Sequence, residues 1–252
     1  MKTWYYNVFA ALWLALAVVA RGDDVNALIK SGDSLDRQLE TGKALDVYLS
    51  AEKMAPSDAD VLRRVAKAYA EMMVDTNSAD RKRALGEKAL DYATRAVASA
   101  PQNAMAQLAE AICYGRLAPL MDNKTKIAYS RLVKEHADKS LSLDPDNDLT
   151  YTVLGDWNYE LAGLNPVLRA IAGIIYGQVP DASYTEAEKD YEKALQMNPN
   201  RLANHVGLGR TYAALGEVGK ARQELEQGLS MPNREKDDPF EKAKAREALR
   251  KL

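Results

Sequence analysis

Four basic residues, Arg63, Lys67, Arg116 and Arg210, stand where they could meet an anionic group. Arg63 and Lys67 are four apart, so on a helix their side chains share one face. Arg presents a planar fork of donors matched to carboxylate or phosphate, and Lys adds a compact charge. Asn26, Asp33 and Arg37 occupy comparable positions upstream, and Asp156 and Tyr159 do so downstream. The chemistry expected of Arg63, Lys67, Arg116, Tyr159 and Arg210 is recognition of an acidic partner. The ordinary alternative is a solvated helix face, since charges on exposed helices are common.

Catalytic and metal-binding chemistry has little to draw on. No G-x-S-x-G, H-E-x-x-H, phosphate-binding loop or dinucleotide fingerprint occurs, so no catalytic, cofactor or metal residue is assigned. The stretch "DPDND" (Asp144 to Asp148) resembles the start of a calcium loop but lacks its glycine and closing Glu. It reads better as Pro145 ending one helix and Asp146 or Asp148 capping the next. His136 and His205, the only two histidines, fall at helix-packing positions. Cys113, the single cysteine, lies in "AEAICYG" and reads as a small buried hydrophobe, and alone it excludes intrachain disulfides. With 34 Lys and Arg against 36 Asp and Glu, the net charge of −2 gives no nucleic-acid binder.

The elements that must position these residues are helices. Ala, Leu, Glu, Lys and Arg dominate after Asp23, prolines sit mainly between helical stretches, and no alternating strand-like run appears. In "MNPNRLANHVGLGRTYAALGEVGKA" (Met197 to Ala221) and on to Pro232, the positions of His205, Leu208, Gly209, Tyr212, Ala221 and Pro232 follow the tetratricopeptide spacing, with His205 in the usual Trp place. Gly209 and Ala221 leave room for two helix axes to approach, Tyr212 fills the space beside them, and Gly216 ends the first helix with a left-handed turn. The same grammar recurs upstream, in Gly32 before Ala44 and Tyr48 and in Gly155 before Ala187 and Tyr191. Pro56, Pro101, Pro145, Pro199 and Pro232 are separated by 45, 44, 54 and 33 residues, so three units exceed a period of about 34. The excess falls between the two helices of a unit.

The first residues are of another kind. Lys2 precedes an unbroken apolar run, Val8 to Ala20, and then "RGDD". Thirteen apolar residues are short for a membrane span, which needs roughly 20. Residues 1–22 are therefore expected to be a signal peptide, with an N-terminal anchor as the alternative, and residues 23–252 a repeat domain exported to a periplasmic or extracellular space.

The stretch from Arg131 to Asn200, with "KEH" before a helix ending in "LDP", then "LGDWNYE", "IAGIIYGQVP" and "YTEAEKDYEKA", resembles the regulator of microtubule dynamics family. The terminal "DDPFEKAKAREALRKL" is similar to that family's last helix. The resemblance implies a tetratricopeptide-like fold without enzymatic activity. It also implies association with microtubules, mitochondria or membrane contact sites in eukaryotic members, and lipid binding within the family. An exported bacterial protein would meet no microtubule, which leaves microtubules a doubtful partner.

The expected architecture is an all-α, tetratricopeptide-like solenoid of five antiparallel helix pairs plus a terminal helix. Its expected function is a non-enzymatic scaffold that holds a protein or peptide in its concave groove, with a lipid or membrane-contact module as the alternative. The longest insert, Asn165 to Pro180, carries Val167, Leu168, Ile171, Ile174 and Ile175 at helical intervals and is expected to bury that face in the core, or else to wall an acyl-chain cavity. Gly173 and Gly177 are expected to admit another backbone.

Overall fold

In a computed structural model, residues 22–178 and 181–252 are described, so the expected signal segment lies outside them apart from its last residue. The described chain is helical throughout: α1 (22–37), α2 (Thr41–Met54), α3 (Ala59–Met72), α4 (Ala79–Ser99), α5 (Ala104–Leu117), α6 (Asn123–Leu143), α7 (Asp148–Ala162), α8 (Pro166–Tyr176), α9 (Tyr184–Met197), α10 (Leu202–Ala214), α11 (Val218–Ser230) and α12 (Asp238–Leu249). The pairs are α1/α2, which meet through Val25 and Ala51 and through Gly32 and Tyr48, then α3/α4, α5/α6, α7/α9 and α10/α11, with α12 against α10 and α11. Five antiparallel pairs and a terminal helix are thus the observed fold.

One turn is used repeatedly to pass from pair to pair. Pro56, Pro101 and Pro145 each follow the last helical residue by two and precede an N-cap, Asp58, Asn103 or Asn147, by two. Proline cannot donate to continue the finished helix, and the cap's side-chain oxygen accepts free amides of the new one. Asp58 accepts from Asp60 and Val61 at 2.8 and 3.1 Å, and Asn103 from Ala106 at 3.0 Å. At the calcium-like stretch the cap is Asn147, which accepts from Leu149 at 3.1 Å, rather than Asp146 or Asp148. Asp148 is instead spent on Arg201 and Asn198, at 2.9 and 3.0 Å.

The long proline spacings have two causes. Helices α4 and α6 are 21 residues each, against 14 for α2 and α9, which lengthens the second and third units. The fourth unit is stretched by α8, inserted between its two helices.

Where axes cross, the side chains are small. Ala44, Ala66, Ala89, Ala111, Ala137, Ala187, Ala221 and Ala245 have no exposed surface. A Cβ on Gly209 would lie 2.7 Å from Leu225 Cγ and 3.0 Å from its backbone nitrogen, so the two backbones meet there as the spacing predicts. Gly216 has φ 81° and turns α10 into α11. Gly177 also has φ 81°, and a Cβ there would touch nothing within 4 Å. It is the left-handed cap of α8, not a site of close approach.

The insert departs from the core expectation. Helix α8 buries Ala172 against α6, and the Tyr176 hydroxyl contacts Ser130 Oγ at 3.1 Å. Val167 and Ile174 point away, 63% and 82% exposed. The apolar residues extend around more of α8 than one neighbour can cover, so α6 takes the side of Ala172 and leaves the other in solvent.

Candidate functional site

The first helices of the pairs, α1, α3, α5, α7 and α10, carry the inner wall of the solenoid. Two of them begin the same clamp with a Gly-Asp dipeptide. Gly32 lacks the Cβ that would strike the ring of Tyr48, and Gly155 the one that would lie 3.0 Å from the ring of Tyr191, so each ring lies against helix backbone. The next residue accepts the ring's hydroxyl: Tyr48 donates to Asp33 at 2.7 Å, and Tyr191 to Asp156 at 2.6 Å. An arginine from the following pair completes the first clamp, where Arg64 Nε donates to Asp33 at 2.7 Å; at the second, Arg210 of the following pair turns to Glu160 and the Tyr159 ring instead.

The electrostatics follow from burial and these partners. Burial pushes the Asp33 carboxyl up, but hydrogen bonds from Arg64 and Tyr48 outweigh it and hold the group below its ordinary value. Burial, then Asp33, raises the Tyr48 phenol; burial and Asp156 do the same to Tyr191.

The five residues singled out for partner binding all lie along this wall but do not converge on one point. Arg63 is paired with Asp60 of its own helix at 2.6 Å. Lys67 reaches Asp36 of α1 at 2.7 Å and Glu71 at 2.6 Å. Burial raises the Glu71 carboxyl above its ordinary range despite the opposing Lys67 charge. Arg116 donates to the Ala70 carbonyl at 3.3 Å and grips Asp237 with both terminal nitrogens. Tyr159 lies under the Arg210 guanidinium, 4.3 Å from ring to charge, and against Tyr184 with ring centres 5.3 Å apart. Arg210 also faces Glu160 at 3.7 Å. The result is one cluster around Lys67, Glu71 and Arg116, a second around Tyr159 and Arg210, and Arg63 apart from both.

Several participants carry no signal in the local spacing. Arg201 ties Asp148 to Glu235, Lys236 meets Asp75 at 2.8 Å, and Asp237 comes from a loop 121 residues beyond Arg116. The clamp aspartates did carry one. Each follows a glycine, and that glycine stands sixteen residues before Tyr48 in one case and, across the insert, thirty-six before Tyr191 in the other.

The histidines face carboxylates but serve packing between paired helices. His205 contacts Glu224 at 2.7 Å and the Pro199 carbonyl at 3.1 Å. His136 contacts Gln107 at 2.7 Å and stacks on Tyr114. Cys113 is buried, and that burial pushes its thiol up to about 12, leaving almost no nucleophilic thiolate at neutral pH. Among the described residues no group of three or more His, Cys, Asp or Glu could hold a metal ion, and no helix is long and apolar enough to cross a membrane.

Paired helices stacked around an inner wall define a tetratricopeptide-like solenoid, and solved structures share that fold. A thermophilic TPR protein of Thermus thermophilus aligns with a TM-score of 0.62 at 17% identity, over 88% of this chain and 98% of that one. PilF of Pseudomonas aeruginosa aligns with a TM-score of 0.55 at 15% identity, over 92% and 90%. The model of one protein family, described as regulator of microtubule dynamics protein 1-3, matches residues 28–252, and the chain belongs to that family. It is 30% identical over 183 residues to regulator of microtubule dynamics protein 1 of Mus musculus, covering 72% of this chain and 60% of that one. To protein 3 of Xenopus laevis it is 29% identical over 180 residues, covering 71% and 39%. The chain thus spans less than two thirds of these relatives. Fold and family agree on an all-α, tetratricopeptide-like chain of the regulator of microtubule dynamics family.

Proposed function

We propose that this chain is a scaffold that holds an acidic protein or peptide segment against its inner wall. One observation carries the reading: the wall already holds an acidic segment, residues 235–237 of this chain, through Arg201 and Arg116. An arginine fork that grips one carboxylate end-on through both terminal nitrogens suits another of the same geometry. Arg63, Lys67, Tyr159 and Arg210 extend the wall on either side. The test is affinity capture by the wild type beside an Arg63→Ala, Lys67→Ala double variant of unchanged circular dichroism. Captured proteins held through the wall drop out with the double variant; an identical set from both removes Arg63 and Lys67 from the site.

Export belongs to the same proposal. The apolar run from Val8 to Ala20 followed by "RGDD" supports removal of a leader near Arg21 or Asp23. N-terminal sequencing of protein made by its native host tests it, and an intact Met1 on membrane-bound protein overturns it.

A second reading, contact with lipid, draws on a different observation, the exposed Val167 and Ile174 of α8. Vesicle flotation that Ile174→Asp abolishes would favour it. A microtubule role rests on the names of relatives that this chain covers only in part.

A further inference from the structure

The loop between α11 and α12 puts three consecutive charged side chains onto three different parts of the wall. Glu235 meets Arg201 at the start of α10, Lys236 meets Asp75 just after α3, and Asp237 meets Arg116 near the end of α5. The loop's charge order is negative, positive, negative, and the wall answers positive, negative, positive. Within the loop, Asp238 accepts from the backbone nitrogens of Arg234 and Glu235 at 2.6 and 2.8 Å, which keeps the three side chains turned toward the wall.

After Met231, which packs with the Leu202, Val206 and Leu225 cluster, this loop has no apolar anchor. Pro232, Asn233, Arg234 and Glu235 are exposed. Helix α12 is fixed independently, through Ala245 packed with Leu202, Val206 and Leu225. Release of the side chains of residues 235–237 therefore breaks ion pairs but leaves the Asp238 backbone bonds and the terminal helix seated, and partly exposed ion pairs are weak joins in a fold.

We propose that residues 235–237 are a self-ligand of the inner wall, a latch that an acidic-basic-acidic segment of a partner displaces by taking the same three contacts. This rests on the reading of the wall as an acidic-segment site and adds to it both the partner's charge order and an intramolecular competitor. A tethered competitor acts at an effective concentration in the millimolar range, so it masks the site until a partner of matching pattern is present. Apparent affinity is the intrinsic affinity reduced by the fraction of molecules with the latch open.

The experiment titrates a fluorescein-labelled peptide of this chain's own residues 232–241 into full-length protein, read by anisotropy. Three proteins are compared: wild type, Glu235→Gln, and Glu235→Gln with Asp237→Asn. The double variant leaves Arg116 without its carboxylate and is checked by circular dichroism. The single variant keeps the fold safe, because Arg201 retains Asp148. The expected result is binding about tenfold or more tighter to the double variant than to wild type, and about threefold or more tighter to Glu235→Gln. Adding Arg116→Ala to the weakened latch should remove it. Equal affinity for wild type and Glu235→Gln overturns the latch while leaving the wall as a binding site. No binding to any folded variant overturns the wall reading itself, and the latch with it.

Discussion

Adding one methyl group at each of two glycines in the last helix pair should move stability in opposite directions. At Gly209, in the middle of α10, alanine gains about 1 kcal/mol of helix propensity. Its Cβ, however, would lie 2.7 Å from Leu225 Cγ and 3.0 Å from the Leu225 backbone nitrogen. Leu225 is fully buried and a backbone atom cannot swing aside, so α10 and α11 must separate. Overpacking of this kind costs about 1–3 kcal/mol, and contact with both side chain and backbone puts the cost toward the upper end. The net loss is about 1–2 kcal/mol, a fall in Tm of roughly 2–8 °C for a domain of this size. At Gly219, in the first turn of α11, the new Cβ meets nothing within 4 Å. There the propensity gain stands alone and Gly219→Ala stabilises by about 0.4–1 kcal/mol. Urea unfolding of the two variants beside wild type measures both signs. A Gly209→Ala protein as stable as wild type would refute the claim that the backbones meet at that position.

On α8, Ile174→Ala should change stability by less than about 0.5 kcal/mol because the side chain is 82% exposed, whereas Leu62→Ala, fully buried, should cost about 2–5 kcal/mol; urea unfolding compares them. Burial raises Asp190 to about 6, although Asn158 donates to it at 2.8 Å. A carboxyl whose folded value lies above its unfolded one supports the fold below about pH 4 and loses that contribution as pH rises through about 6. Asp190→Asn should therefore be about 1–2 kcal/mol more stable than wild type at pH 7, after allowance for solvent around a half-buried group, with no advantage near about pH 3.5. Thermal melts across that range check it, and a pH-independent difference would count against the burial cause.

The residues that set the fold were legible because their causes are local. Gly209, Ala221 and Gly216 each answer to a neighbour within one helix pair, and Pro56, Pro101 and Pro145 to the turn they occupy. The orientation of α8 was not legible: periodicity identifies Val167, Leu168, Ile171, Ile174 and Ile175 as helical neighbours, but which of them meets protein depends on where α6 lies. Long-range pairing was hidden for the same reason. Arg116 could be recognised as a wall cation, but nothing within a helical turn of it announces Asp237. Asn147 is hidden as the cap because the two aspartates beside it have equal chemical claim, and Arg201 and Asn198, fifty and more residues away, decide the use of Asp148.

The two Asp-Tyr clamps, the first completed by Arg64, give the wall an uneven stiffness. In a solenoid each pair contacts chiefly its neighbours, so stability propagates through the joins between successive pairs. Asp33, Tyr48 and Arg64 lock the first pair to the second, and the buried Tyr191 holds the two helices of the fourth pair together through Asp156. Removing Asp156 would leave the buried Tyr191 hydroxyl without its acceptor, a loss of about 1–3 kcal/mol. The contacts of Glu235, Lys236 and Asp237 instead reach across the wall, joining the last loop to the second and third pairs and to the start of α10 without apolar burial of their own. Salt screens such pairs and leaves the tyrosine-to-carboxylate hydrogen bonds of Tyr48 and Tyr191 largely intact. The join that spans the inner wall is therefore also the one that can open while the pairs beneath it stay folded.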